Sequence, residues 1–299
     1  MRRWVHWFFS PTAATIVLMI CATVAGRETA SSPGDGDESG LDILLPRLAR
    51  ASELFRDSTL KFACDETITW SGREIDGGRQ KFGYVYVYDE DKGFEDYRTW
   101  LRGGGKHPRE VSPGEVGVPA YLRSAFLWVF VFRDSRQDLH RYEIEGEETV
   151  LGRPAVKIRF EPIPPHRYKT NDWFGWAWID RETAQPLKVE AYTSEDWNRK
   201  QAFEADLTGL RWKSARELGY RIERIVTEFT VDKNGMRFPG TIDIQRSRYK
   251  VFKKMRYEET SLLHVQQVYR NYRFFSVRTA EEIRATIDGN MPPGGLRRP

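Results

Sequence analysis

Histidine, cysteine and paired carboxylates are the residues with which a chain most often does chemistry, and their spacing here offers little. Beyond the N-terminal segment the histidines are His107, His140, His166 and His264, and the one cysteine is Cys64. None lies at metal-ligand spacing from another, so no metal site is expected. The carboxylate pairs Glu147-Glu148 and Glu195-Asp196 are sequence neighbours. Neighbours on a strand point to opposite faces, so neither pair makes an acid/base couple by itself. The sequence has no nucleophile elbow, no Walker loop and no Gly-rich dinucleotide turn. GGGKH, from Gly103 to His107, could cradle an anion through backbone N–H groups, but without a following helix it reads as a plain loop. The basic run KVFKKMR, from Lys250 to Arg256, could attract phosphate headgroups. A solvated strand end is the plainer reading. No catalytic residue and no cofactor is therefore expected.

The sequence offers aromatic surface instead. In NDWFGWAWIDRETAQPLKVEAY, from Asn171 to Tyr192, the residues Phe174, Trp176 and Trp178 share one face of a strand, with Gly175 and Ala177 on the other. In KFGYVYVYDE, Phe82, Tyr84, Tyr86 and Tyr88 share a face opposite Gly83, Val85 and Val87. Such a stripe is ordinarily core. Two stripes, with Phe274 and Phe275 later in the chain, suggest more aromatic surface than short helices can cover. That points to a hollow with Tyr84, Tyr86, Phe174, Trp176 and Trp178 as candidate lining. Area argues that Phe174, Trp176 and Trp178 face the helices, because rings left in water forfeit about 25 cal/mol per Å² of apolar surface. Gly175 and Ala177 lose little by exposure and let the strand bend.

The elements that would position these rings follow from periodicity. Leu41, Leu44, Leu45, Leu48 and Phe55 fit one helical face, predicting a helix from about Leu45 to Asp57 with Pro46 in its first turn. Beyond it the period is two. Leu60 to Trp70 and Lys81 to Glu90 form a hairpin across SGREIDGG, and FEDYRTW adds a strand. Leu101 to Pro119 is a Gly/Pro-rich loop, and Pro119 to Phe132 reads as a second helix. Strand pairs follow within His140 to Pro162 and around Asp180 to Pro186. A long hairpin then turns at Asn234-Gly235, and a long bent strand, Ser261 to Val277, closes the set. Successive hairpins make an antiparallel meander, which twists and curls. The expected fold is mainly β (α+β), a curved antiparallel sheet forming a half-open barrel with an N-terminal helix and a helical lid segment.

The chain has 299 residues, 40% hydrophobic and 13% aromatic, with a formal net charge of +4. That charge is too small and too evenly spread for nucleic acid. Arg2 and Arg3 precede an apolar stretch that ends in Thr23-Val24-Ala25. This reads as a secretory signal peptide over residues 1–25, placing the protein in the periplasm or outside the cell. An uncleaved anchor is the rival reading. Lipidation at Cys21 is a third, disfavoured by the bulky Ile20 before it. Residues 26–40 read as a disordered linker, 41–280 as one half-barrel domain and 281–299 as a flexible tail.

Together with an exported N-terminus and an opening helix, the runs FACDETITW, GRPAVKIRFEP, GWAWIDRETAQPLKVE, NGMRFPGTIDI and VYRNYRFFSV resemble bacterial periplasmic proteins of the lipoprotein-localisation carrier and receptor superfamily. The resemblance spans roughly Leu41 to Val277. It implies a half-open barrel with helices as a lid and a hollow that accepts acyl chains. No functional residue of that family matches a position here. The expected function is a non-catalytic exported protein that binds a lipid or acyl chain. The alternative is a cell-envelope interaction module with a filled core and a protein partner. A hydrolase assembled from distant strands ranks third, and His140 or His264 beside a carboxylate in a pocket would favour it.

Overall fold

The computed structural model describes residues 37–56, 61–73, 75–89, 93–100, 110–111, 129, 131–163, 173–193, 195–198, 220–252, 256–274 and 284. The expected signal peptide lies outside them, as does all of the expected tail except Arg284.

The strands follow the period-two runs: β1 Lys61–Gly72, β2 Gly78–Asp89, β3 Gly93–Trp100, β4 Glu110–Val111, β5 His140–Val150, β6 Arg153–Pro162, β7 Trp173–Asp180, β8 Pro186–Thr193, β9 Tyr220–Glu228, β10 Val231–Lys233, β11 Met236–Phe238, β12 Thr241–Phe252 and β13 Arg256–Phe274. Eleven of them form one antiparallel sheet in the order β4-β3-β2-β1-β13-β12-β9-β8-β7-β6-β5. Two meanders are thus joined where the first strand pairs with the last, and β13 is long enough to pair with both β12 and β1. The edges β4 and β5, consecutive in the chain, lie at opposite ends of the sheet, so the curved sheet stays open as a half-barrel. On the β5 edge, Glu143, Glu145, Glu147 and Glu148 disfavour pairing with another chain.

Register makes one face continuous. Ile158, Ala177 and Val189 are paired neighbours across β6, β7 and β8, as are Ala191, Ile225 and Ile244 across β8, β9 and β12. The row continues through Val265 of β13 to Ile68, Cys64 and Phe62 of β1 and Tyr84 and Tyr86 of β2 in a single buried cluster. Helix α1, Asp37–Leu54, covers this face with Leu44, Leu48, Ala51 and Leu54, followed by Phe55.

The helix begins at Asp37, inside the stretch expected as linker, rather than at Leu45. Gly40 lies where an added Cβ would be 3.1 Å from Ile144 Cδ1, a close approach to β5. Pro46 is consequently interior, not in the first turn, and removes the hydrogen bond that Asp42 would accept. Of the expected lid helix over 119–132, only Val129, Val131 and Phe132 are described, and all three are buried. Phe132 packs edge-on against Phe160, and the Tyr142 hydroxyl donates to the Val131 carbonyl at 2.7 Å. The short helix α2, Asp134–Gln137, follows.

The expected long hairpin is also divided. β9 pairs directly with β12, and the residues between them form a separate two-stranded flap, β10–β11. Asn234 and Gly235 turn its tip at φ 52° and 79°, the positive values of a type I′ turn. Met236 and Phe238 insert from this flap into the core beneath α1. Gln185 clamps it to the β7–β8 turn, donating to the Gly235 carbonyl at 2.6 Å and accepting from Arg237 N–H at 2.9 Å.

Candidate functional site

The helix-covered face gathers rings as its floor. Phe62 stacks on Tyr86 with centroids 5.6 Å apart and also meets Tyr84, Phe238, Tyr272 and Phe274. Phe238 in turn lies 5.3 Å from Phe55. Tyr84 and Tyr86 therefore stand on the helix-covered face, packed with the other rings at 1% exposure each.

Phe174, Trp176 and Trp178 stand on the opposite face, contrary to the area argument. Their strand sends Ala177 and Ile179 into the cluster under α1, while Phe174 and Trp178 belong to two separate outer clusters. The physical reason is that rings can be covered without a helix. Trp197 stacks on Phe174 at 3.8 Å, the Lys188 ammonium lies 4.4 Å from the Trp178 ring centroid, and Trp178 Nε1 donates to Glu148 at 3.0 Å. Lysine stems shield rings while their charged ends stay wet. Gly175 is small for a different reason: a Cβ there would sit 2.0 Å from the Glu190 carbonyl oxygen, so β8 backbone occupies that space.

Within the aromatic floor lies a charged cluster. Glu66 of β1 is fully buried and accepts from Arg98 Nε at 2.6 Å, Arg98 Nη2 at 3.0 Å, Gln267 Nε2 at 3.0 Å and the Tyr269 hydroxyl at 3.0 Å. Arg98 also donates to Asp96 at 2.6 Å and lies 4.8 Å from the Tyr84 ring centroid. Burial alone would lower the Arg98 pKa, but the Glu66 charge and its hydrogen bonds more than reverse this and hold the guanidinium charged. Burial pushes the Tyr84, Tyr269 and Tyr272 phenols well above their ordinary range, so they remain donors. The sequence carried one signal of this cluster: Glu66 interrupts the apolar parity of LKFACDETITW. Its partners come from β3 and β13 and share no motif with it.

Cys64 lies beside Glu66 on the same face and is buried. Burial and the neighbouring carboxylates push its thiol far above the usual range, so the reactive thiolate is suppressed. A thiol reagent should label Cys64 only on unfolding; stoichiometric labelling within minutes under native conditions would contradict this placement.

The other sequence candidates stay apart. His140 is buried, with Nδ1 3.1 Å from the Arg136 carbonyl oxygen. His264 Nε2 lies 2.6 Å from Asp243 Oδ2, but both side chains stand on an open strand face, 45% and 40% exposed. Ser71 pairs with His264 across β1 and β13 and is itself exposed. Glu147 pairs with Arg181, Glu148 with the Trp178 N–H, and Asp196 accepts from Glu223 N–H. His107, His166 and the Gly103–His107 loop lie outside the described residues. Among the described residues no group of three His, Cys, Asp or Glu could hold a metal, and no helix is long and apolar enough to cross a membrane.

No family model and no curated protein matches the chain. Solved structures do. A DUF1329 family protein from Desulfovibrio piger is similar at 14% identity and a TM-score of 0.40, covering 82% of this chain and 96% of its own. A domain assigned to outer membrane lipoprotein-sorting proteins from Vibrio parahaemolyticus is similar at 13% and 0.39, covering 84% and 99%. A LolA superfamily protein from Nitrosomonas europaea is similar at 8% and 0.35, covering 77% and 93%.

Proposed function

We propose that the chain is a non-catalytic, exported envelope protein that binds the acyl chain of a lipid between α1 and the aromatic face of its half-open sheet. The observation that carries this reading is the floor itself: Phe62, Tyr84, Tyr86, Phe238 and Tyr272 packed as one apolar surface under a single helix. The helix is tied down by the Ser52 hydroxyl to the Val129 carbonyl, Gln137 to the Leu45 carbonyl and Arg47 to the Glu182 carbonyl. Glu53 also accepts from Arg133 Nε at 3.1 Å, and Leu44, Leu48, Ala51 and Leu54 hold the core-facing side by apolar packing, which is non-directional. An acyl chain can replace such contacts as the helix withdraws, and Pro46 already breaks the helix's own ladder. The Glu66–Arg98 cluster would then give the floor a fixed polar point beside the chain. The signal-like N-terminus fits a periplasmic site of action.

The second reading, an envelope interaction module with a filled core, is favoured by one specific observation. Phe62, Tyr84, Tyr86 and Phe238 are at most 1% exposed, so no chain fits beside them while α1 is in place. Among the described residues, the hydrolase reading has only the exposed His264–Asp243 pair behind it. Delipidated protein titrated with a fluorescent fatty acid separates the first two. Saturable uptake at micromolar probe supports the lipid reading; no uptake across fatty acids and phospholipids leaves the filled-core module.

A further inference from the structure

The sheet face opposite α1 carries a groove of about 590 Å³ along β1. Its walls are in register: Thr69 pairs with Arg79 and Thr67 with Lys81 on β2, while Thr69 faces Gln266 and Asp65 faces Arg270 on β13. Gly83, opposite Asp65, leaves the floor without a side chain. A β-bulge between Ala63 and Asp65 and the positive φ of Asn271 (57°) bend the strands at this end.

The charges of the groove are unbalanced. Arg79, Lys81 and Arg270 share the groove with two carboxylates, Glu66, which is held by Arg98, and Asp65, which takes a hydrogen bond from Asn271 Nδ2 at 2.6 Å. Among the described residues these three cations have no ion-pair partner. Cations elsewhere on the sheet do: Arg246 with Glu223, Lys157 with Glu145 and Arg181 with Glu147. Three neighbouring like charges repel one another and attract a counter-anion.

We propose that this groove is a binding site for a phosphate-bearing anion. Arginine forks accept two phosphate oxygens at once, lysine adds a point charge, and the Thr67 and Thr69 hydroxyls can donate alongside. The groove exceeds a bare phosphate in size, so the phosphate enters with its organic substituent. Either a phospholipid headgroup or a soluble phosphomonoester supplies that chemistry. The site lies on the face away from the acyl-chain site and does not depend on it.

The test uses the mature protein with two probes: glycerol phosphate by titration calorimetry, and phosphatidylcholine vesicles with or without phosphatidylglycerol by co-sedimentation. Arg79→Gln, Lys81→Gln and Arg270→Gln are made singly and together. All three side chains are exposed, and urea midpoints check that the fold is kept. Binding should weaken about tenfold per charge removed and should fall with added salt. Binding of both probes supports a site open to soluble phosphates, and binding of the anionic vesicles alone identifies a headgroup site. The proposal is overturned if native protein binds neither probe, if neutral vesicles bind equally well, or if the triple variant binds as the native protein does. Uptake of the fluorescent fatty acid by the triple variant should be unchanged, so failure here leaves the acyl-chain reading intact.

Discussion

Arg98→Ala should lower the unfolding free energy by about 3–5 kcal/mol, because it strands a charge in the core. The side chains of Glu66 and Asp96 are 0% and 3% exposed, and Arg98 is the cation between them. Without it, the buried Glu66 carboxylate keeps only the neutral donors Gln267 and Tyr269 among its described partners. The cost arises from that stranded charge rather than from the worth of the pair. A triple variant, Arg98→Met with Glu66→Gln and Asp96→Asn, should therefore recover most of the loss. Urea unfolding of the single and triple variants gives the comparison. An Arg98→Ala midpoint equal to that of the native protein would mean that water reaches the cluster. A triple variant no better than the single would mean that packing, not charge, is at stake.

Trp178→Ala should cost about 3 kcal/mol, the low end for deleting a buried tryptophan, and should leave fatty-acid affinity unchanged. The low end follows from the site. Trp178 packs with Ala155 and Leu187 on the outer face, and the Lys188 stem can settle into the space. Unchanged affinity follows because Ala177 and Ile179, not Trp178, reach the floor under α1. Loss of probe binding with native-like stability would return Trp178 to the lipid site.

Much of the architecture is written in period and punctuation. The alternation along β1, β2 and β7, the hairpin turn at Asn234-Gly235 and the length of β13 are each legible without coordinates. What is not legible is which face of a strand meets the helix. For β7, ring area favoured the tryptophans, but that argument omits covers other than helices: Trp197 lies in a helical turn beyond β8, and Lys157 and Lys188 come from adjacent strands. Register decides the question, since Ala177 pairs with Ile158 and Val189, and register depends on three strands at once. The charged cluster was half legible. Glu66 stood out as a carboxylate on an apolar parity, yet Gln267 and Tyr269 are some two hundred residues away, and nothing local names them. The start of α1 is not legible because a proline in a helix usually occupies the first turn, whereas Pro46 is interior.

The central claim is that an acyl chain lies between α1 and the aromatic floor. The most direct measurement is photo-crosslinking of delipidated protein with a diazirine-bearing fatty acid, followed by peptide mapping of the adducts. The predicted result is labelling of α1 around Leu48 and of the Phe62, Tyr84 and Tyr86 strands, competed away by unlabelled fatty acid. Labelling confined to the outer face around Trp176 and Trp178, or none above that of an unrelated protein, would contradict it.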